Sequence, residues 1–310
     1  MGLLLQRLFA LGVCLLVSAG FSSAAPPPGY LGSQVCRTCH PDIYATFYRN
    51  PHAKSLADEK IKFEQKGCES CHGPGREHVA AKGDKTKIVA FSNLSPKQTL
   101  DNCLSCHQSQ ISRANIRRSS HTTADVVCSN CHSIHKSPTP KHLLAKQQTD
   151  LCYQCHSNVR AQFSMPVKHR VNEGFMQCSD CHNPHGADAL NTRMMARPRM
   201  LAHGLQNEEP CLKCHVDKRG PFVFEHAAVR VDGCGSCHAP HGSMNSRLLR
   251  RPQVFTLCLE CHNGAGNFGR DGDGITLSSP THSMTDVKYQ NCTACHVRIH
   301  GSNTHSRFLR

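Results

Sequence analysis

The chain has 310 residues, with 21 cysteines, 23 histidines, no tryptophan and only 5% aromatic residues. That composition excludes an ordinary core of large apolar side chains, so something other than side chains must fill the interior. The formal net charge of +14 would by itself raise nucleic acid or an anionic membrane as a partner, and the arrangement of the cysteines decides against that.

The N-terminus reads as a secretory signal. Arg7 precedes the apolar run Leu8 to Gly20, and small residues follow before "PPPG". Cleavage is expected after Ala24, giving a leader of residues 1–24 and a mature domain of 25–310. The apolar run is shorter than the roughly 20 residues a membrane span requires, which weighs against an uncleaved anchor. Cys14 does not make a lipoprotein signal, because Val13 stands where a small residue is needed.

Beyond the leader one pentapeptide, Cys-x-x-Cys-His, recurs ten times and takes up all 20 remaining cysteines. Histidines outside the motifs fall between them in a regular order, so that each unit reads leading motif, histidine, trailing motif, histidine. The first unit is Cys36, Cys39 and His40, then His52, then Cys68, Cys71 and His72, then His78. The second is Cys103, Cys106 and His107, His121, Cys128, Cys131 and His132, His135. The third is Cys152, Cys155 and His156, His169, Cys178, Cys181 and His182, His185. The fourth is Cys211, Cys214 and His215, His226, Cys234, Cys237 and His238, His241. The fifth is Cys258, Cys261 and His262, His282, Cys292, Cys295 and His296, His300.

The pentapeptide is the attachment sequence of c-type haem. On a helical turn positions i, i+3 and i+4 share a face, so two thiols can bond the porphyrin vinyl groups while the next imidazole reaches the iron. "SPKQTLDNCLSCH" suits such a turn, with Ser95 as N-cap and Pro96 at the first helical position. Zinc sites and disulfides also use paired cysteines, but neither explains a histidine after the second cysteine in all ten copies. Ten covalently bound c-type haems bring twenty propionates against a mature charge of +13, which is +14 less Arg7. The basic residues are therefore propionate partners, and no nucleic-acid partner is expected. About 285 mature residues leave fewer than 30 per haem. The expected fold is a multihaem cytochrome c with little regular structure: short α-helices and loops wrapped around an elongated chain of ten haems, in five two-haem repeats. A division into five-haem halves falls at about 25–165 and 166–310.

From the leading motif histidine to the next histidine the steps are 12, 14, 13, 11 and 20, and from the trailing one 6, 3, 3, 3 and 4. This periodicity supplies one further histidine per iron. The expected proximal ligands are His40, His72, His107, His132, His156, His182, His215, His238, His262 and His296. The distal ones are His52, His78, His121, His135, His169, His185, His226, His241, His282 and His300. Opposed axial imidazoles hold their Cα atoms roughly 12 Å apart, and three residues reach only about 10–11 Å. His185 therefore cannot serve the haem of His182 and is expected to cross to a neighbouring one. His142, His203 and His305 are left over, although His203 lies eight residues before Cys211 just as His226 lies eight before Cys234. Met194, Met195 and Met200 are an alternative ligand source, more often packing. "DGDG" (Asp271 to Gly274) reads as a turn, since His282 stands where a calcium loop needs glutamate. In "CHGPGREH", Gly73 and Gly75 are expected to bend the chain and bring His78 round.

Two imidazoles per iron leave no open position, so the chain reads as an electron carrier and not an enzyme, with potentials below those of histidine–methionine centres. At roughly 10 Å per haem, ten in a row run on the order of 80–100 Å, about twice the ~40–45 Å of a bilayer. "YLGSQVCRTCHPDIYATFYRNPHAKSL", "GCESCHGPGREH", "RRSSHTTADVVCSNCHSIH" and "CSDCHNPHG" resemble the periplasmic decahaem cytochromes of the MtrA and DmsE type, with PioA and MtoA. The resemblance covers the mature chain. It implies bis-histidine ligation and a place in the periplasm associated with the outer membrane, inside an outer-membrane β-barrel porin. It also implies a periplasmic or inner-membrane cytochrome as redox partner, and an extracellular multihaem cytochrome or reductase beyond. Two other readings stand beside it. One is a soluble periplasmic carrier. The other is a multihaem reductase for nitrite or hydroxylamine, which needs an open iron often marked by CxxCK.

Overall fold

A computed structural model describes residues 25–110, 115–139, 141–186, 209–262 and 286–310. The leader, Met194, Met195, Met200, His203, the "DGDG" stretch and His282 lie outside the described residues. Among the described residues there is no sheet, only isolated antiparallel bridges such as His132 with Leu144 and His238 with Leu249. The helices are short: α1 Ser33–Cys36, α2 Pro41–Phe47, α3 Glu69–His72, α4 Arg76–Ala80, α5 Pro96–His107 and α6 Ser120–Thr123. They continue with α7 Cys128–Cys131, α8 Gln148–Tyr153, α9 Ser157–Gln162, α10 Cys178–Cys181, α11 Ala227–Val231 and α12 Val254–Leu259, with 3₁₀ turns between them. The expected pattern of short helices and loops is therefore the one found.

Each motif contributes a helical turn of its own. The histidine N–H donates to the carbonyl of the first cysteine at 2.8–3.1 Å in nine copies, and the tenth, Cys103 to His107, closes α5. Three motifs, starting at Cys211, Cys234 and Cys292, open as 3₁₀ turns yet still close that bond. Helix α5 starts as its sequence dictates. Ser95 Oγ accepts from Gln98 N–H at 3.3 Å, Gln98 Oε1 accepts from Ser95 N–H at 2.9 Å, and Pro96 is at N1.

Apolar packing is sparse. Leu100 and Leu104, one turn apart on α5, meet Ile116 and Val127 in a small buried cluster that Cys128 packs against. Phe47, Leu143, Phe163 and Val171 are the other buried apolar side chains among the described residues. The first unit is tied differently. Glu69, 4% exposed, sits inside the second motif, and its carboxylate accepts from the N–H groups of Leu31, Gly32 and Gly75 at 2.7–3.2 Å. Gly73 does turn the chain, at φ 73°. Gly75 acts otherwise: its backbone is helical, and a Cβ there would stand 3.2 Å from Glu69 Oε1.

Candidate haem-binding site

No disulfide joins the twenty motif cysteines. Instead the first cysteines of the two motifs in a unit stand close enough for their thiols to interact: Cys36 with Cys68, Cys103 with Cys128, Cys152 with Cys178, Cys211 with Cys234, and Cys258 with Cys292. That interaction raises one thiol of a pair and pulls the other down, Cys68 and Cys292 to about 6 and Cys178 to about 7. A thioether carries no proton, so the contact reports position: the two attachment points of a unit lie side by side. Between units, Cys71 interacts electrostatically with Cys106, Cys131 with Cys155, Cys181 with Cys211, and Cys258 with Cys237. The motifs thus follow one another in space as they do in sequence. Glu209, Cys211 and Cys234 come close enough to suggest a small metal site, but both cysteines are the first of their haem motifs.

The histidines pair. Ring centres lie 5.9 Å apart for His52 and His107, 6.0 Å for His72 and His135, 6.2 Å for His121 and His156, and 6.1 Å for His132 and His185. The series continues with His169 and His215 at 6.3 Å, His182 and His241 at 5.9 Å, His226 and His262 at 6.3 Å, and His238 and His300 at 6.2 Å. Two metal–imidazole bonds of about 2 Å, plus about 1.1 Å from each nitrogen to its ring centre, give roughly 6 Å. Casual ring packing scatters over about 4.5–7 Å and has no preference for partners. Here each pair joins a motif histidine to a non-motif histidine, and each crosses between adjacent units. A leading-interval histidine faces the leading motif of the next unit; a histidine after a trailing motif faces the trailing motif of the unit before. His185 accordingly faces His132 and not His182.

The second ring nitrogen is fixed as well. Nδ1–H of His72 donates to Val89 O at 2.7 Å, His132 to His142 O at 2.8 Å, His238 to Arg247 O at 2.8 Å and His296 to Arg307 O at 2.6 Å. His121 and His169 donate to Pro184 O and Pro240 O at 3.0 and 2.7 Å, the residues just before His185 and His241, and His226 lies near the backbone of Ile299, just before His300. In the first unit Asn50 Nδ2 takes the matching carbonyl, Ile134 O, at 2.9 Å. With Nδ1 carrying the proton, Nε2 presents its lone pair to the opposing ring. Burial first, then neighbouring charge, holds His135, His226, His241 and His300 below the usual imidazole range, which keeps them neutral and able to bind metal.

His78 donates Nδ1–H to Asp84 O at 2.9 Å from helix α4. Of the leftover histidines, His142 offers its backbone carbonyl, and His305 Nδ1 accepts from Arg307 N–H at 3.1 Å within a turn. The carbonyl acceptors escaped sequence reasoning, because a backbone oxygen leaves no residue-type signature. A faint one exists: "HLL", "RLL" and "RFL" follow three trailing motifs at 9–11 residues.

The chain matches the family model "Doubled CXXCH motif" over residues 121–161 and 226–267, and "Cytochrome c554 and c-prime" over 35–67 and 76–133. Each doubled-motif match runs from a non-motif histidine, His121 or His226, through the motif of its ring partner, His156 or His262. The chain is also 33% identical over 280 residues to the multiheme cytochrome MtrA of Shewanella baltica (strain OS185), an alignment covering 88% of this chain and 79% of that protein. With its short-helix fold and repeated attachment motifs, the chain belongs to the MtrA-type multihaem c-type cytochromes, electron-transfer proteins that bind c-type haem.

Proposed function

We propose that this chain binds ten c-type haems in one row and conducts electrons along it between the periplasm and the cell exterior, seated in an outer-membrane β-barrel porin. The observation that carries the reading is the set of eight histidine pairs, each spaced for an iron and each crossing between units. In every pair the motif histidine is the proximal ligand and the other the distal one. His40 with His78, and His296 with His282, complete the set as the remaining partners of the two end units. Bound haem supplies a one-electron ferric–ferrous couple. The polypeptide attaches each porphyrin through two thioethers, fills both axial positions so that no substrate reaches an iron, and sets the spacing along the row. A periplasmic or inner-membrane cytochrome exchanges electrons at one end, and an extracellular multihaem cytochrome or reductase at the other.

Purification from gently solubilised outer membranes tests this. The expected result is a stoichiometric β-barrel with the cytochrome, whose intact mass carries ten haems. Recovery from the soluble periplasmic fraction without a barrel would sink the conduit and leave a mobile carrier. An open iron, seen as a high-spin signal in the oxidised protein, would point to a reductase.

A further inference from the structure

After three trailing motifs the chain makes the same turn. A bulky residue, Leu143, Leu248 or Phe308, has positive φ, at 54°, 58° and 58°, and in the second turn Arg247 joins it at 55°; glycine adopts that conformation freely and other residues avoid it. The residue immediately before it, His142, Arg247 or Arg307, is the one whose carbonyl accepts the Nδ1–H of His132, His238 or His296. Hairpin bonds hold the turn in place: Ser133 N–H donates to Leu143 O at 2.7 Å, Ala239 N–H to Leu248 O at 2.7 Å, and Arg298 N–H to Phe308 O at 3.1 Å. A disfavoured conformation persists when its surroundings over-determine it, and here it recurs at the same place relative to a motif histidine. The contrast is His107 of a leading motif, whose Nδ1 is buried and has no hydrogen-bond partner among the described residues.

We propose that these left-handed turns set redox potential: Leu143, Leu248 and Phe308 are positioning residues that aim a carbonyl at the proximal imidazole. An imidazole that donates Nδ1–H to a carbonyl is a more basic ligand. It favours the ferric state and lowers the potential of its centre. The centres of His132, His238 and His296 therefore sit below the centre of His107, so the row has a built-in rise and fall. This rests on the ligand assignment above.

The test uses the full haem-loaded protein, with haem-methyl NMR followed through a stepwise redox titration and the His238 centre identified by a His300→Met variant. Leu248→Pro cannot take positive φ and withdraws the carbonyl; the midpoint of that one centre rises while the others hold. Leu248→Gly keeps the turn and leaves the midpoint where it was. If the proline variant fails to load its haems, Leu248→Val, whose branched side chain also disfavours the turn, is read in its place and shows the same rise. An unmoved midpoint in the proline or valine variant overturns the proposal, as does an equal rise in the glycine variant, which would trace the effect to lost side-chain packing. If His300→Met leaves every resonance unchanged, the ligand assignment itself fails, and that failure is distinct.

Discussion

At five of the eight histidine pairs two different nitrogens have two different jobs. Nδ1 of one ring is anchored to a backbone carbonyl, as in His169 to Pro240 O at 2.7 Å, and Nε2 is left to face its partner. Because the partner belongs to a neighbouring unit, the effect of a substitution appears away from its place in the sequence. His185→Met should raise the potential of the His132 centre by part of the roughly 0.8 V that axial ligation spans, leaving the His182 centre three residues away unmoved; site-resolved redox titration reads both. Acid acts at the same residues. His135, His226, His241 and His300 are held below their ordinary value by burial, so between the folded and unfolded values the unfolded chain binds more protons. Their contribution is complete above about pH 6.5 and is lost as pH falls below it, and iron coordination acts in the same direction. Thermal unfolding should show a plateau above neutrality and a midpoint that drops on acidification through pH 6.

The elements are too short to be stable by themselves, since helices below about 12–15 residues are marginal in water. Among the described helices only α5 approaches that length, and it carries a Ser95–Gln98 capping box and a buried apolar face, Leu100 and Leu104. Leu104→Ala should cost about 2–5 kcal/mol, read by chemical denaturation, with the His52–His107 centre perturbed first because His107 ends the helix. Elsewhere, neighbouring units approach through backbone. Gly242 follows His241, and a Cβ there would lie 2.0 Å from Gln162 O of the preceding unit, while Gln162 Oε1 bonds His241 Nδ1 at 3.0 Å. Gly242→Ala should force the third and fourth units apart, lower stability by at least about 1–3 kcal/mol, and weaken low-spin ligation at the His182–His241 pair as read by EPR. Gly301, which follows His300, meets a side chain instead: a Cβ there would lie 2.1 Å from the Phe222 ring.

Among the described residues, crossings between histidines of adjacent units stand where a large apolar core would be. Each junction between adjacent units is spanned twice, once forward and once back, as His52 to His107 and His135 to His72 span the first. Eight buried apolar side chains among the described residues cannot offset a backbone ordering cost of about 1–2 kcal/mol per residue. A variant with serine at all 20 motif cysteines should therefore be unfolded: its far-UV circular dichroism should resemble coil, and its amides should exchange without protection. Retained native helicity would mean that the polypeptide folds without its cofactors.

The attachment motifs, their pairing into repeats and the α5 cap were legible in the sequence, because covalent chemistry and capping need particular side chains at fixed local spacing. That His185 would not face His182 was legible too, as a limit on reach. Its destination was not: reach excludes His182 but does not choose among the other motif histidines. The tertiary structure places His132 opposite it, and the same fold sets the seven other described pairs, the carbonyls that fix Nδ1, and Asn50 in place of one of those donors. These depend on where distant backbone comes to rest. Local spacing decides which residues can bind a haem; packing between units decides which histidines face one another.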